Sequence, residues 1–128
     1  MKDQHLKITL PWTNRLLSPN ARVHWAVKRK LVEQAKHWAY LAVFEQRKGE
    51  HAKPAGKINY RCSFFPPDRR PRDEDNLIAS LKSSLDGIAM ALNVNDKCFH
   101  ILEPIVGDAK KPGRVEIDLY WKECEEKD

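Results

Sequence analysis

The chain has 128 residues, 41% of them apolar and 32% charged, which fits a single domain with a real core. Its net charge is +5, but Lys122–Asp128 holds two positive and four negative charges, so the preceding 121 residues stand at +7 and suit a polyanionic partner such as nucleic acid. No apolar run approaches the ~18–20 residues that cross a bilayer, the opening MKDQHLKITL has no signal-peptide core, and the three cysteines, Cys62, Cys98 and Cys124, contain no Cys-x-x-Cys pair. These features argue against membrane insertion, secretion, a disulfide framework and a structural zinc site; the expectation is a cytoplasmic protein.

Leu6–Leu10 alternates apolar and polar residues as a half-buried strand does, and Pro11 ends it. A loop rich in turn formers follows through Thr13-Asn14 and Ser18-Pro19-Asn20. From about Ala21 to Gln46 the residues Val27, Leu31, Ala35, Trp38 and Ala42 recur at spacings of three and four, which predicts a helix with that stripe, widened by Leu41, against the core. Lys28, Arg29, Lys30 and Lys36 crowd its first half as a solvated face or a phosphate-binding one, and Gly49 offers a stop. Ile58–Phe64 alternates again and predicts a second strand, closed by Pro66-Pro67.

Leu77, Leu81, Leu85, Ile88 and Leu92 mark a second amphipathic helix, with Asp75 or Asn76 suited to cap it. Asn93–Asp96 forms a turn, a short strand is expected around Phe99 to Val106, and a Lys110-Lys111-Pro112-Gly113 turn leads into the clean alternation of Val115–Trp121. No repeat, low-complexity tract or long linker interrupts the chain. The predicted fold is an α+β domain over residues 1–121, two helices packed on a small mixed sheet, followed by an acidic tail at 122–128.

The chemistry concentrates in Asp68–Asp75, with four acids and three arginines in eight residues. Pro66, Pro67 and Pro71 restrict helix there. In an extended chain Asp73 and Asp75 would point to one side, about 7 Å apart. Such a pair can hold a hard cation such as Mg²⁺, and Arg69, Arg70 and Arg72 suit phosphate oxygens; the combination is what phosphodiester hydrolysis needs. The bland alternative is a surface loop of self-compensating ion pairs. On the second helix Asp75, Ala79, Lys82 and Asp86 share a face. Lys82 and Asp86 are then either a surface ion pair or, for Lys82, a charge stabiliser at a phosphate. Asp96 is a third candidate carboxylate, with a turn former as its alternative role. The histidines at 5, 24, 37, 51 and 100 show no metal-ligand pairing, and with five glycines there is no nucleotide-cradling loop.

The run Pro67-Asp68-Arg69-Arg70-Pro71-Arg72-Asp73-Glu74-Asp75-Asn76-Leu77, then Leu81-Lys82, Leu85-Asp86-Gly87 and Asn95-Asp96, resembles the RusA family of Holliday junction resolvases, small endonucleases typical of phages and prophages. Leu10-Pro11-Trp12 with Ser18-Pro19-Asn20 is similar to that family's N-terminal motif, so the resemblance runs from about Ile8 to Trp121. It implies a homodimer that binds four-way DNA junctions and cuts them symmetrically with Mg²⁺ (Mn²⁺ as a substitute), leaving a 5′-phosphate and a 3′-hydroxyl.

By that resemblance Asp73, Asp75 and Asp96 hold the metal, and Lys82 is the essential lysine. The sequence departs from the family in carrying Asn95 where an aspartate often stands, and in placing Lys82 about one helical turn further on. Arg69, Arg70 and Arg72 would then position the backbone, with Lys28, Arg29, Lys30, Lys110 and Lys111 holding the junction arms. The rival reading is a non-catalytic branched-DNA-binding module, and a further one is a structural phage protein with a charged loop. If the second helix ran unbroken from Asn76 to Leu92 it would span ~25 Å, so Asp75 and Asp96 would meet only through a break near Gly87 or across a dimer.

Overall fold

Three alternating strands decide which side of the sheet is dry. In the computed structural model, which describes residues 3–47, 54 and 56–122, these are β1 (Asp3–Pro11), β2 (Ile58–Phe65) and β5 (Arg114–Lys122). The register sets Ile8 opposite Ile117 and Ile117 opposite Cys62, so every second residue of each strand falls on the same face. Leu6, Ile8, Leu10, Ile58, Cys62, Phe64, Val115, Ile117 and Leu119 are buried there.

The sheet is mixed. Its order is β1-β5-β2-β3, with β1 and β2 antiparallel to β5, and with β3 (Phe99–Ile101) and β4 (Ile105–Val106) parallel to β2. The single strand expected around Phe99 to Val106 is therefore two short ones that pair with opposite ends of β2. Three helices complete an α+β fold: α1 (Trp25–Gln46), α2 (Glu74–Ser80) and α3 (Lys82–Leu92). One-turn 3₁₀ helices lie at Arg15–Leu17 and Asp96–Cys98. The residues after Lys122, with most of the acidic tail and Cys124, lie outside the described residues, as do Gly49 and His51. No helix among the described residues is long and apolar enough to cross a membrane.

The other face of the sheet is polar and cross-linked. His5 Nε2 meets Asp118 Oδ1 at 2.7 Å while its ring stacks on Tyr120 at 4.7 Å. Lys7 bridges Glu116 at 3.2 Å, and Arg114 Nε donates to Glu116 at 2.8 Å. Hydrogen bonding to Glu116, with Asp118 nearby, raises the Lys7 pKa; the Arg114 bond lowers that of Glu116. On the dry face burial pushes the Cys62 thiol up to about 12, so Cys62 behaves as a core apolar group.

The structure corrects two helix expectations. The stripe assigned to the core on α1 is partly outside it: Val27 is 46% exposed and Trp38 50%, with Leu41 also exposed, while Ala39, Ala42 and Val43 are buried. The cause is Gly87. A Cβ there would sit 2.1 Å from the Lys36 carbonyl oxygen and 3.1 Å from the Tyr40 nitrogen, so α3 approaches the α1 backbone itself. That close crossing turns small residues inward and large ones outward. The helix also starts at Trp25, with His24 accepting the Ala26 N–H as its cap, rather than near Ala21.

The second correction is the break in the second helix, which falls at Leu81 and not at Gly87. Ser80 Oγ donates to the Leu77 carbonyl at 2.6 Å, and the Leu81 N–H turns to Ile78 O at 3.0 Å. A hydroxyl that takes a helix carbonyl in this way competes with the backbone ladder.

Gly87→Ala should destabilise the protein by ~1–3 kcal/mol through overpacking, although alanine favours helix by ~1 kcal/mol over glycine. Thermal and urea melts check this; a stabilised variant would contradict the close crossing.

Candidate active site

β2 delivers the chain at Phe65 into the proline-framed loop, where Asp68 acts as a clamp. Its Oδ2 meets Arg70 Nη2 at 3.0 Å, its Oδ1 meets Arg72 Nη2 at 2.7 Å, and Oδ1 also accepts the Arg70 backbone N–H at 3.1 Å. Arg72 Nη1 donates to the carbonyls of Asp68 and Arg70, each at 3.0 Å, and its guanidinium lies 5.3 Å from the centre of the Trp12 ring. The Arg72 side chain is only 19% exposed. Hydrogen bonds from Arg70, then Arg72, hold the Asp68 carboxyl well below the usual carboxylate range. Asp68, Arg70 and Arg72 thus form ion pairs of the kind the bland alternative expects, two arginines on one carboxylate, with Arg72 stitching the loop together. Arg69 is exposed and makes no hydrogen bond or ion pair among the described residues.

The clamp leaves Asp73 at the head of α2. Asp73 is extended (φ −77°, ψ 121°) and its carboxylate accepts the Asp75 N–H at 2.9 Å, so Asp73 itself caps the helix, rather than Asp75 or Asn76. Asp75 falls in the first helical turn, so the pair stands at a helix start and not along an extended strand. The prolines end at Pro71, which leaves Asp73 free to cap. Asp73, Glu74 and Asp75 are all exposed. One Asp73 oxygen serves the cap; the other, with the Asp75 carboxylate, faces no partner among the described residues.

Lys82 opens α3, exposed and without an ion pair among the described residues, Asp86 included. The face shared by Asp75, Ala79, Lys82 and Asp86 is interrupted at Leu81, with Asp75 and Ala79 on α2 and Lys82 and Asp86 on α3.

A second segment walls the acid loop. Thr13 Oγ1 donates to Ser80 Oγ at 2.9 Å, and Trp12 packs edge-on to Phe64 at 6.2 Å beneath Arg72. Between this segment and α2 lies a cavity of about 190 Å³ whose lining includes Trp12, Arg15, Arg72, Asp73 and Asn76. A larger one, about 620 Å³, is lined by Asp68, Arg69, Arg70 and Asp108 among others.

Lys110 reaches this end of the sheet because its N–H donates to Pro66 O at 2.8 Å, and its Nζ sits 5.7 Å from the Phe65 ring centre. Lys111, exposed, follows it. Arg29 and Lys30 are exposed on α1, Lys28 is half-buried, and α1 also packs against the Arg15–Leu17 turn. Arg15 and Asp108 are absent from the sequence-derived site. Neither belongs to a periodic or paired pattern that would single it out; only contacts across the fold place them here.

Asp96 is elsewhere. Its 3₁₀ turn leads directly into Phe99, which pairs with Ile58 at the start of β2, whereas the acid loop leaves the other end at Phe65. Seven steps along β2 span about 23 Å at ~3.3 Å each. Among the described residues no three His, Cys, Asp or Glu side chains gather closely enough within the chain to hold a metal ion.

The fold is α+β, with an exposed carboxylate pair at the head of a helix. No family model matches the sequence. An uncharacterized protein of Xylella fastidiosa (strain Temecula1 / ATCC 700964) is 38% identical over 120 residues, covering 91% of this chain and 76% of that protein. The chain belongs to the same family as that protein.

A depressed carboxyl pKa stabilises the folded state above the unfolded value and loses that contribution as pH falls through the folded one. The Asp68 clamp should therefore stay intact from neutral pH to about pH 4, the ordinary carboxyl range, and loosen only below it. The assigned Trp12 indole NMR signal should be flat above that range and move beneath it, while Asp68→Asn shows the shifted signal at neutral pH. A transition centred near pH 6 would contradict the clamp.

Proposed function

We propose that this protein is a RusA-type endonuclease that cuts four-way DNA junctions with Mg²⁺ as a homodimer in the cytoplasm. The observation that carries this reading is the exposed Asp73–Asp75 pair at the head of α2, on a basic body whose acid loop also carries Arg69 with no partner among the described residues. Two carboxylates with oxygens free of other partners fit a hard divalent cation. Asp73 and Asp75 would hold it, with Asp96 of a second copy completing the set, because the length of β2 keeps the chain's own Asp96 away. When bound, Mg²⁺ supplies water activation and offsets charge on the phosphoryl oxygens.

The chain's own residues supply the rest. Arg69 and Lys110 draw the backbone toward the carboxylates, with Arg29, Lys30 and Lys111 extending that field over the junction arms. Lys82, exposed and without a counter-ion among the described residues, would offset charge that develops on the phosphate as water attacks phosphorus and the 3′ oxygen leaves. The products are a 5′-phosphate and a 3′-hydroxyl. Arg70 and Arg72 act at one remove, by holding the loop that presents Asp73.

One observation favours the second reading, a branched-DNA-binding module without turnover: a single chain gathers no three-donor metal site among its described residues. Cleavage separates the two. Wild type with Mg²⁺ should nick a four-way junction, whereas Asp73→Asn and Asp75→Asn should lose at least 95% of the rate, a drop of ~20-fold or ~1.8 kcal/mol in barrier terms. Asparagine caps a helix as well as aspartate does, so Asp73→Asn should melt like wild type and bind the junction in Ca²⁺ at least as tightly. Binding without nicking by wild type would favour the module.

A further inference from the structure

The turn Arg15–Leu17 sits in a segment that α2 and the acid loop hold from two sides. Asn14 Oδ1 accepts the Leu16 N–H at 2.9 Å, and the Leu17 N–H donates to Asn14 O at 3.0 Å, which fixes the Arg15 backbone. Upstream, Trp12 lies under the Arg72 guanidinium; between the two, Thr13 is bonded to Ser80 at the end of α2. Arg15 is therefore carried on a rigid support tied both to the residue before Asp73 and to the helix that Asp73 caps.

Its side chain has a different character from its neighbours'. Arg70 and Arg72 share the single Asp68 carboxylate. The Arg15 side chain is exposed and makes no hydrogen bond, ion pair or ring contact among the described residues. It lines the cavity of about 190 Å³ together with Asp73 and Asn76, and the adjoining one of about 320 Å³ together with Arg70 and Pro71. A guanidinium with no counter-ion among the described residues, lining one cavity with Asp73 on a hydrogen-bonded support, is suited to a two-point grip on a phosphodiester.

We infer that Arg15 contacts a DNA backbone phosphate in the cleft beside Asp73. The inference rests on the nuclease reading for its cleavage consequence, but its binding consequence stands apart from it. Arg15 would pull the strand toward carboxylates that by themselves repel it, and so set where along the backbone the cut falls. The other free arginine of the loop, Arg69, lies in the separate cavity with Asp108, so the two grip different phosphates.

The test uses the full-length protein and a synthetic four-way junction. Arg15→Ala should reduce the slope of log affinity against log salt by about 0.9, the contribution of one phosphate. Arg15→Lys should keep the slope, and both variants should melt like wild type. In single-turnover cleavage with Mg²⁺, Arg15→Ala should be slowed at least about tenfold, and Arg15→Lys less. An unchanged slope for Arg15→Ala overturns the inference, whatever cleavage does. If wild type binds with a steep salt dependence yet never nicks, the nuclease reading fails while the slope still judges Arg15. If wild type shows no salt-dependent junction binding, both fall.

Discussion

The salt bridge from Arg72 to Asp68 is the constraint on which the candidate site depends. A loop with three prolines in its immediate frame has few backbone hydrogen bonds of its own, so side chains must fix it. Arg72 does this by donating to a carboxylate and two carbonyls while its guanidinium lies over the face of Trp12. Each end of that stack belongs to a different segment, so one guanidinium fixes the acid loop, the N-terminal turn and the first residue of α2 together. An arginine so placed is read from sequence as a phosphate ligand because its charge is visible and its partners are not. Pairing separates the cases around the acid loop: Arg70 and Arg72 share Asp68, whereas Arg69 and Arg15 have no counter-ion among the described residues.

The second constraint is the length of the central strands. β2 carries the acid loop at its C-terminal end and pairs with the segment after Asp96 at its N-terminal end. The break at Leu81 does not shorten that path, since α3 follows α2 at once. In the proposed endonuclease a symmetric pair of chains would bridge the separation, and a two-fold axis would yield two equal sites for two equal cuts. The same division of labour would make the isolated chain inert, a useful property in an enzyme that severs DNA.

Much of this was legible in the sequence where one local pattern controls the outcome. The alternation in β1, β2 and β5 reads cleanly because a sheet with one dry face demands it. The Asp73-x-Asp75 pair and the arginines around it stand out by composition alone. What escaped depends on distant partners. Which face of α1 is buried is decided by Gly87 on another helix. The break at Leu81 accompanies a Ser80 hydroxyl bonded to Thr13, 67 residues away. The role of Arg72 needs Trp12, and the position of Arg15 needs both. Capping by Asp73 rather than Asp75 was within reach, since an acid just beyond a proline frame is a strong helix start, but the extended reading of the loop concealed it.

The central claim is that metal-holding carboxylates from two copies of the chain make one site. Its most direct measurement is junction nicking by a mixture of Asp75→Asn and Asp96→Asn chains, denatured and refolded together, in Mg²⁺. Each variant alone should be inactive. The mixture should nick, because a heterodimer pairs the intact Asp75 of one chain with the intact Asp96 of the other. A mixture as inactive as its components, formed from chains shown to exchange, would contradict a site shared between subunits.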